Sequence, residues 1–369
     1  MFRVELRDTA FNILEILDNE VINLRWVYSR IGGCGGFSFS LPRKLYEEKS
    51  ISGDFNIRIY YRNPDTKVYD LWYQGLVENK YPQIKGNSEE IAVSGHGYQA
   101  QLSRVYIDKT YTAQEVSVIV KDILDTFVTP NTDITYNVSD IVATTFTPDT
   151  LEFHTDTLSA LQTCADIVGS REWGVDANRK FFFKAKSTTV DFRWPLGAKI
   201  TNFSEDLDFK EIINRIIVQG AETAGVIYTT TYNDSASKLK YNLRTKVIQN
   251  SAISTNAVAA QFATSTFAEY SEVVRKASCE LINYEAQIEA TVPINLAVIL
   301  TREITYGIRK YGTFLYSGLV NRQINRINYA VNNNNTLKIS LDLGQLRPTL
   351  AEEIAQLEYQ LEQQRSAAL

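Results

Sequence analysis

Histidine is almost missing from this chain: of 369 residues only His96 and His154 carry imidazole. Neither lies near the other or near a cysteine pair at ligand spacing, so the sequence encodes no zinc centre of the common Cys/His type. "SGHGY" (94–98) puts Ser94 and His96 on one face of a single strand, without the G-x-S-x-G elbow of a serine hydrolase. Cysteine is nearly as scarce. Cys34, Cys164 and Cys279 are odd in number and widely scattered, which excludes a disulfide framework and fits synthesis in a reducing cytoplasm. No long hydrophobic run exists either. The longest apolar stretch, around Ile294–Leu300, falls far short of the ~20 residues a membrane-crossing helix needs. "MFRVELRDTAFNILEIL" carries charge where a signal peptide would be apolar, so no membrane insertion is expected. Basic blocks are absent as well. With 38 Lys and Arg against 43 Asp and Glu, the net charge is −5, which argues against tight, sequence-reading nucleic-acid binding. No cofactor or metal site is expected.

What the chain does have is β-forming residues: 21 tyrosines, 17 phenylalanines and many β-branched side chains. Phe2, Val4 and Leu6 alternate with polar residues, as do Phe37, Phe39 and Leu41, and again Phe55, Ile57, Ile59 and Tyr61. Period-two alternation buries one face of each strand. Turn signals at "RNPDTK" (62–67) and "GNSEE" (86–90) separate further strands, so the first hundred residues read as a barrel or sandwich. The character then changes. Thr112 and Glu115 have capping-box spacing ahead of the helical pattern Val116, Ile119, Val120, Ile123, Leu124 and Phe127. A second helix is expected from Thr157 to its stop at Gly169, followed by a hairpin turning at Ala177–Asn178. From Leu196 the pattern is β again. It is interrupted by the polar "YNDSASK" and a helix over about Asn256 to Ala277, and it ends in a hairpin (318–344) turned by four asparagines.

"RWVYSRIGGCGGFSFSLPRK" (25–44) could suggest a phosphate loop. Such a loop needs a helix after it and usually a Lys–Ser/Thr pair, whereas "FSFSL" and Pro42 follow here. The glycines are expected to line a turn or bulge between paired strands, with Cys34 as a small apolar filler. The carboxylate pairs Glu89–Glu90, Asp206/Asp208 and Glu352–Glu353 single out no glycosidase, although two catalytic acids can be distant in sequence. The last segment carries more: Leu350, Ile354, Leu357 and Leu361 recur in steps of four, three and four from Pro348 onward. That is either a short coiled-coil seam or the face of a helix packed on its own domain, and two heptads are too few to stand alone.

Several of these segments together resemble the bacteriophage baseplate-hub and tail-tip hub family. They are "LRWVYSRIGGCGGFSFSLPRK" (24–44), "LWYQGLVENK" (71–80) with "IAVSGHGYQAQLSR" (91–104), "YTAQEVSVIVKDILDTF" (111–127), "INRIIVQGA" (213–221) and "YSGLVNRQINRINYAVNNNNTLKISLDLG" (316–344). The resemblance implies an α+β, mainly β chain: a first tail-tube-like β-barrel over 1–105, an α+β insertion over 106–195, a second such barrel with a helical insertion over 196–345, and a C-terminal helix over 346–369. It implies a structural virion protein without catalytic turnover. Three copies would set six barrels in a pseudo-sixfold ring at the tail tip. Above and below, the ring would meet the tail tube or distal tail protein, the tape measure protein, and a fibre or spike, and DNA would pass through the lumen without specific binding. A tail-associated wall-degrading enzyme and a carbohydrate-binding module are the competing readings. Leu350, Ile354, Leu357 and Leu361 are the expected oligomer or partner interface.

Overall fold

The computed structural model describes residues 2–42, 51–185, 193–281 and 301–344, apart from short stretches within those ranges. Seven strands come first: β1 (Phe2–Arg7), β2 (Ile13–Ile16), β3 (Ile22–Ser29), β4 (Ile31–Pro42), β5 (Asn56–Arg62), β6 (Tyr69–Lys85) and β7 (Ser88–Gly97). Their alternation does what it predicts. Phe2, Val4, Leu6, Leu24, Trp26, Tyr28, Ile57 and Ile59 all turn inward and are buried. Each such side chain contributes about 1.5–3 kcal/mol on leaving water.

A middle unit follows a 3-10 turn at Tyr98–Arg104: β8 (Tyr106–Thr112), α1 (Val116–Ile123), β9 (Thr135–Ile141), β10 (Thr150–Asp156), α2 (Thr157–Val168), β11 (Arg171–Val175) and β12 (Lys180–Ala185). The helix expected from Thr157 to Gly169 is present, capped by the Asp156 side chain and stopped by Gly169 at φ 64°. The hairpin at Ala177–Asn178 is present too, with Asp176 Oδ1 accepting the amides of Asn178 and Lys180 at 2.8 Å each. The capping box is not. Thr112 closes β8, and Glu115 itself stands at the N-cap with no side-chain cap bond. Its carboxylate instead accepts from the Ser117 and Thr144 hydroxyls and from the Thr144 amide at 2.6 Å. Burial pushes Glu115 upward, but these bonds outweigh it and its pKa lies below the usual value.

The rest comprises β13 (Arg193–Pro195), β14 (Ile200–Asp208), β15 (Arg215–Thr223), β16 (Val226–Asn233), α3 (Ser235–Tyr241), β17 (Thr245–Gln249), α4 (Asn256–Tyr270), β18 (Val274–Leu281), β19 (Thr301–Thr305), β20 (Arg309–Lys310), β21 (Thr313–Phe314), β22 (Leu319–Val331) and β23 (Leu337–Gly344). The polar excursion at "YNDSASK" folds as α3, because Asp234 accepts the Ser237 amide at 2.9 Å and caps it. The helix from Asn256 stops at Tyr270, short of Ala277. Beyond it Ala277, Cys279 and Leu281 alternate inward on β18, which β14 and β23 hold from either side. The asparagine hairpin forms as expected from β22 and β23, paired up to Val331 and Leu337.

One sheet joins the two ends of the chain. Its strands run β14-β18-β23-β22-β3-β4-β7-β6-β5-β1-β2, and the junction is the antiparallel β3–β22 pair. Trp26 on β3 stacks on Tyr329 of β22 at 4.9 Å and 9°, with Phe2 at 5.5 Å from Trp26 and Trp72 at 5.7 Å from Tyr329. A first apolar cluster holds this sheet; a second combines the middle unit with Ile213, Ile216, Val218, Ile253, Val258 and Ala259.

The glycine stretch lies where these two bodies meet. The chain turns at Arg30, and the β3–β4 register slips between Trp26 and Tyr28, a bulge as expected, with Cys34 buried. Gly33 has φ +78° and pairs with Val175 of β11 so closely that a Cβ there would sit 2.1 Å from the Val175 carbonyl oxygen. The glycines let one sheet admit a second backbone.

Candidate assembly surface

A sheet that does not close has two end strands. Among the described residues β2 pairs only with β1, and β14 only with β18. Each therefore offers a row of backbone N–H and C=O groups to a further strand, which monomeric proteins commonly mask with lysine, proline or a covering element. β2 carries the opposite: Ile13, Leu14 and Ile16 are 51%, 44% and 42% exposed, so both of its faces are apolar. Its position is fixed from behind. Asp8 accepts the Asn12 amide at 2.8 Å and the Asn12 side-chain amide at 2.9 Å, closing the β1–β2 turn. The Arg179 guanidinium then lies 4.1 Å from the Phe11 ring, tying that turn to the middle unit. An edge held this rigidly loses little entropy when it takes a partner.

At the other end of the sheet Leu207 on β14 and Phe209 just after it are exposed. Here Lys276, 5% exposed, reaches Asp208 at 3.6 Å and Glu211 at 2.5 Å. Those bonds hold the end of β14 where the helical insertion leaves the sheet. The carboxylate of Asp208 sits below its usual range, chiefly through the Lys210 amide and then through Lys276.

The residues singled out in the sequence fall as follows. Leu350, Ile354, Leu357 and Leu361, with Glu352–Glu353, lie outside the described residues. Glu89 and Glu90 lie at the start of β7 rather than in the "GNSEE" turn, and Asp206 and Asp208 lie on β14. His96 is exposed and bonds Glu78 at 2.6 Å. His154 lies between Asp108 at 2.8 Å and Glu152 at 2.9 Å, one carboxylate on each ring nitrogen. Because those nitrogens face opposite ways, the three groups do not converge, and no metal-ligating cluster of three is present among the described residues. The open β2 edge was not foreseen, although "ILEI" held the signal: three apolar side chains in four residues cannot all face one core.

His154 gives a direct check on this geometry. The Glu152 bond and the Asp108 charge raise its pKa above 6.5. A raised value means that the contribution to stability is complete below the unfolded pKa and fades as pH rises through the folded one. In an NMR titration the His154 midpoint should lie above 6.5, and Glu152→Gln should bring it down; an unmoved midpoint would contradict the contact.

No family model matches the chain, and no curated protein does. Solved structures do. The chain is similar to the 43 kDa tail protein of prophage MuSo2 from Shewanella oneidensis, with a TM-score of 0.62 and 13% identity over 93% of this chain and 98% of that one. It is similar to the tail protein from Neisseria meningitidis MC58, with a TM-score of 0.60 and 12% identity over 93% and 96%. It is also similar to prophage tail protein gp18 from Listeria monocytogenes EGD-e, with a TM-score of 0.54 and 13% identity over 98% and 99%. What survives at such identities is the path of the backbone, and by that path this chain has the fold of phage tail proteins.

Proposed function

We propose that the protein is a structural, non-enzymatic component of a phage tail tip, a hub whose copies close into a trimeric ring. The ring carries the tail tube or distal tail protein above and a fibre or spike below. The β strands at the two ends of the chain, 1–105 and 196–345, form tail-tube-like walls around a lumen. The tape measure protein and then DNA leave through it without specific binding, helped by the chain's net charge of −5. The observation that carries this reading is the shared fold, matched over nearly the full length of both chains in the Shewanella tail protein.

The open sheet supports a ring rather than a lone chain. A head-to-tail contact that sets the β2 end of one copy against the β14 end of the next can close under threefold symmetry, and such a closed ring leaves neither end strand to recruit further chains. Leu350, Ile354, Leu357 and Leu361 would add a seam below the walls, where three short helices can support one another. Light scattering of the purified protein should give the mass of three chains. Leu14→Lys on β2 and Leu357→Asp in the seam should each shift it toward one chain. A wild-type mass of one chain at all concentrations would defeat the proposal.

A further inference from the structure

The middle unit and the helical insertion carry opposite charge. Over 106–185 the chain has twelve Asp and Glu against six Lys and Arg, whereas Ser235–Ala268 has four Lys and Arg and no carboxylate. We propose that the outer face of the β8–β10 ribbon in one copy docks on the basic α3 surface of the next copy. The contact rests on the trimeric ring and lies beside the sheet junction between copies.

The basic surface is compact. Lys238, Lys240 and Arg244 stand exposed together with Leu239 and Leu243. Leu239, at 88%, is the most exposed large apolar side chain among the described residues. Glu272 holds Lys240 at 2.7 Å, but Lys238 and Arg244 form no ion pair with any described residue. Exposed leucines ringed by cations fit a partner that is acidic at its rim and apolar at its centre.

The β8–β10 ribbon has that form. Alternation turns Ile107, Tyr111, Leu151 and Phe153 onto the core. It leaves Tyr106, Asp108, Glu152, His154 and Asp156 on the outer face. Tyr106 is 63% exposed. His154, between Asp108 and Glu152, can cancel at most one of these carboxylates.

Placement makes the contact intermolecular. The buried face of β8–β10 shares one apolar cluster with α2 and α4. Ser265 Oγ of α4 donates to the Ile167 carbonyl of α2 at 3.4 Å. On the far side of α4, the Tyr228 and Tyr232 hydroxyls of β16 donate to Asn256 at 2.6 and 3.0 Å. α3 then joins β16 to β17 across the end of that last sheet. Two helices therefore separate the acidic face from the basic one, and they cannot meet within one chain.

Continuity supplies the partner. Arg179 over the Phe11 ring ties the middle unit to the β2 end of the large sheet. Lys240 and Glu272 tie α3 to the start of β18, which pairs with the end of β14. Setting β2 of one copy against β14 of the next brings an acidic unit alongside a basic one.

Sedimentation velocity of the full chain at about pH 8, above the ordinary histidine range, tests the contact. Raising NaCl from about 50 to about 500 mM should raise the concentration at which trimers dissociate about tenfold, because exposed charges are screened. Lys238→Glu/Arg244→Glu should raise it about tenfold or more, with the urea midpoint unchanged because neither side chain is paired in the single chain. Asp108→Lys/Glu152→Lys, which leaves the buried face of the ribbon untouched, should do the same. Combining all four changes should restore the value to within about threefold of wild type. Trimers indifferent to salt and to both reversals would overturn the contact while leaving the ring intact, and the α3 cations would then await an acidic partner other than this chain. Weakening by each reversal without mutual rescue would overturn it too. A wild-type mass of one chain would remove this contact and the ring together.

Discussion

Gly33→Ala should destabilise the protein by at least about 3 kcal/mol or leave it insoluble. Two penalties add at that position. The backbone has φ +78°, where a residue with a Cβ is strained, and the new methyl would lie 2.1 Å from the Val175 carbonyl oxygen and 2.7 Å from its carbon and nitrogen. Nothing flexible can yield, because these are backbone atoms of β11 held by their own pairing with β12. Separating the strands enough to fit the methyl would open the junction between the sheet and the middle unit. Gly53→Ala is the control. A Cβ there has nothing within 4 Å and the backbone is not in the left-handed region. That variant should stay within about 1 kcal/mol of wild type. Urea unfolding of the two variants side by side decides the matter, and a wild-type midpoint for Gly33→Ala would mean that the close approach of β4 and β11 is wrong.

Trp26→Ala should cost about 3–5 kcal/mol, the range for emptying a large aromatic site in a packed core. The ring is buried, stacked on Tyr329 and flanked edge-on by Phe2. Its place at the β3–β22 junction adds a second consequence. Phe2 and Trp26 come from the start of the chain and Tyr329 from near its end, so the cavity opens at the seam joining the two. The Trp26→Ala/Tyr329→Ala double variant should lose less than the sum of the single losses, because each single change already abolishes the stack. Additive losses would show that the rings do not interact.

Most of the local structure was legible in the sequence, and the reason is periodicity. Phe2–Val4–Leu6 and Leu337–Ile339–Leu341–Leu343 can only be strands with one buried face, and Leu158–Leu161–Ala165–Val168 ahead of Gly169 can only be a helix with a stop. Errors arose where two periods overlap or where a distant group intervenes. Val273 and Ala277 continue the helical spacing of α4, yet Ala277, Cys279 and Leu281 also satisfy a strand. Pairing with β14 and β23, remote in sequence, chose the strand. Glu115 has capping-box spacing from Thr112, but Thr144 lies beside it in space and takes the carboxylate. The glycines at 32–36 read correctly as a bulge, although their purpose was hidden, because Val175 lies far along the chain.

The assembly surface was the least legible part. An open edge is a property of a whole sheet. The three apolar side chains of "ILEI" hinted at two apolar faces. The end position of β2 showed only when β1 was seen to pair with β5 on one side and β2 on the other, with no further partner for β2 among the described residues.

Class averages of the purified protein by negative-stain electron microscopy bear most directly on the central claim. A ring with threefold or pseudo-sixfold symmetry around an open or plugged lumen is the expected image. Isolated particles with the dimensions of one chain, at concentrations where the protein is fully folded, would contradict the account.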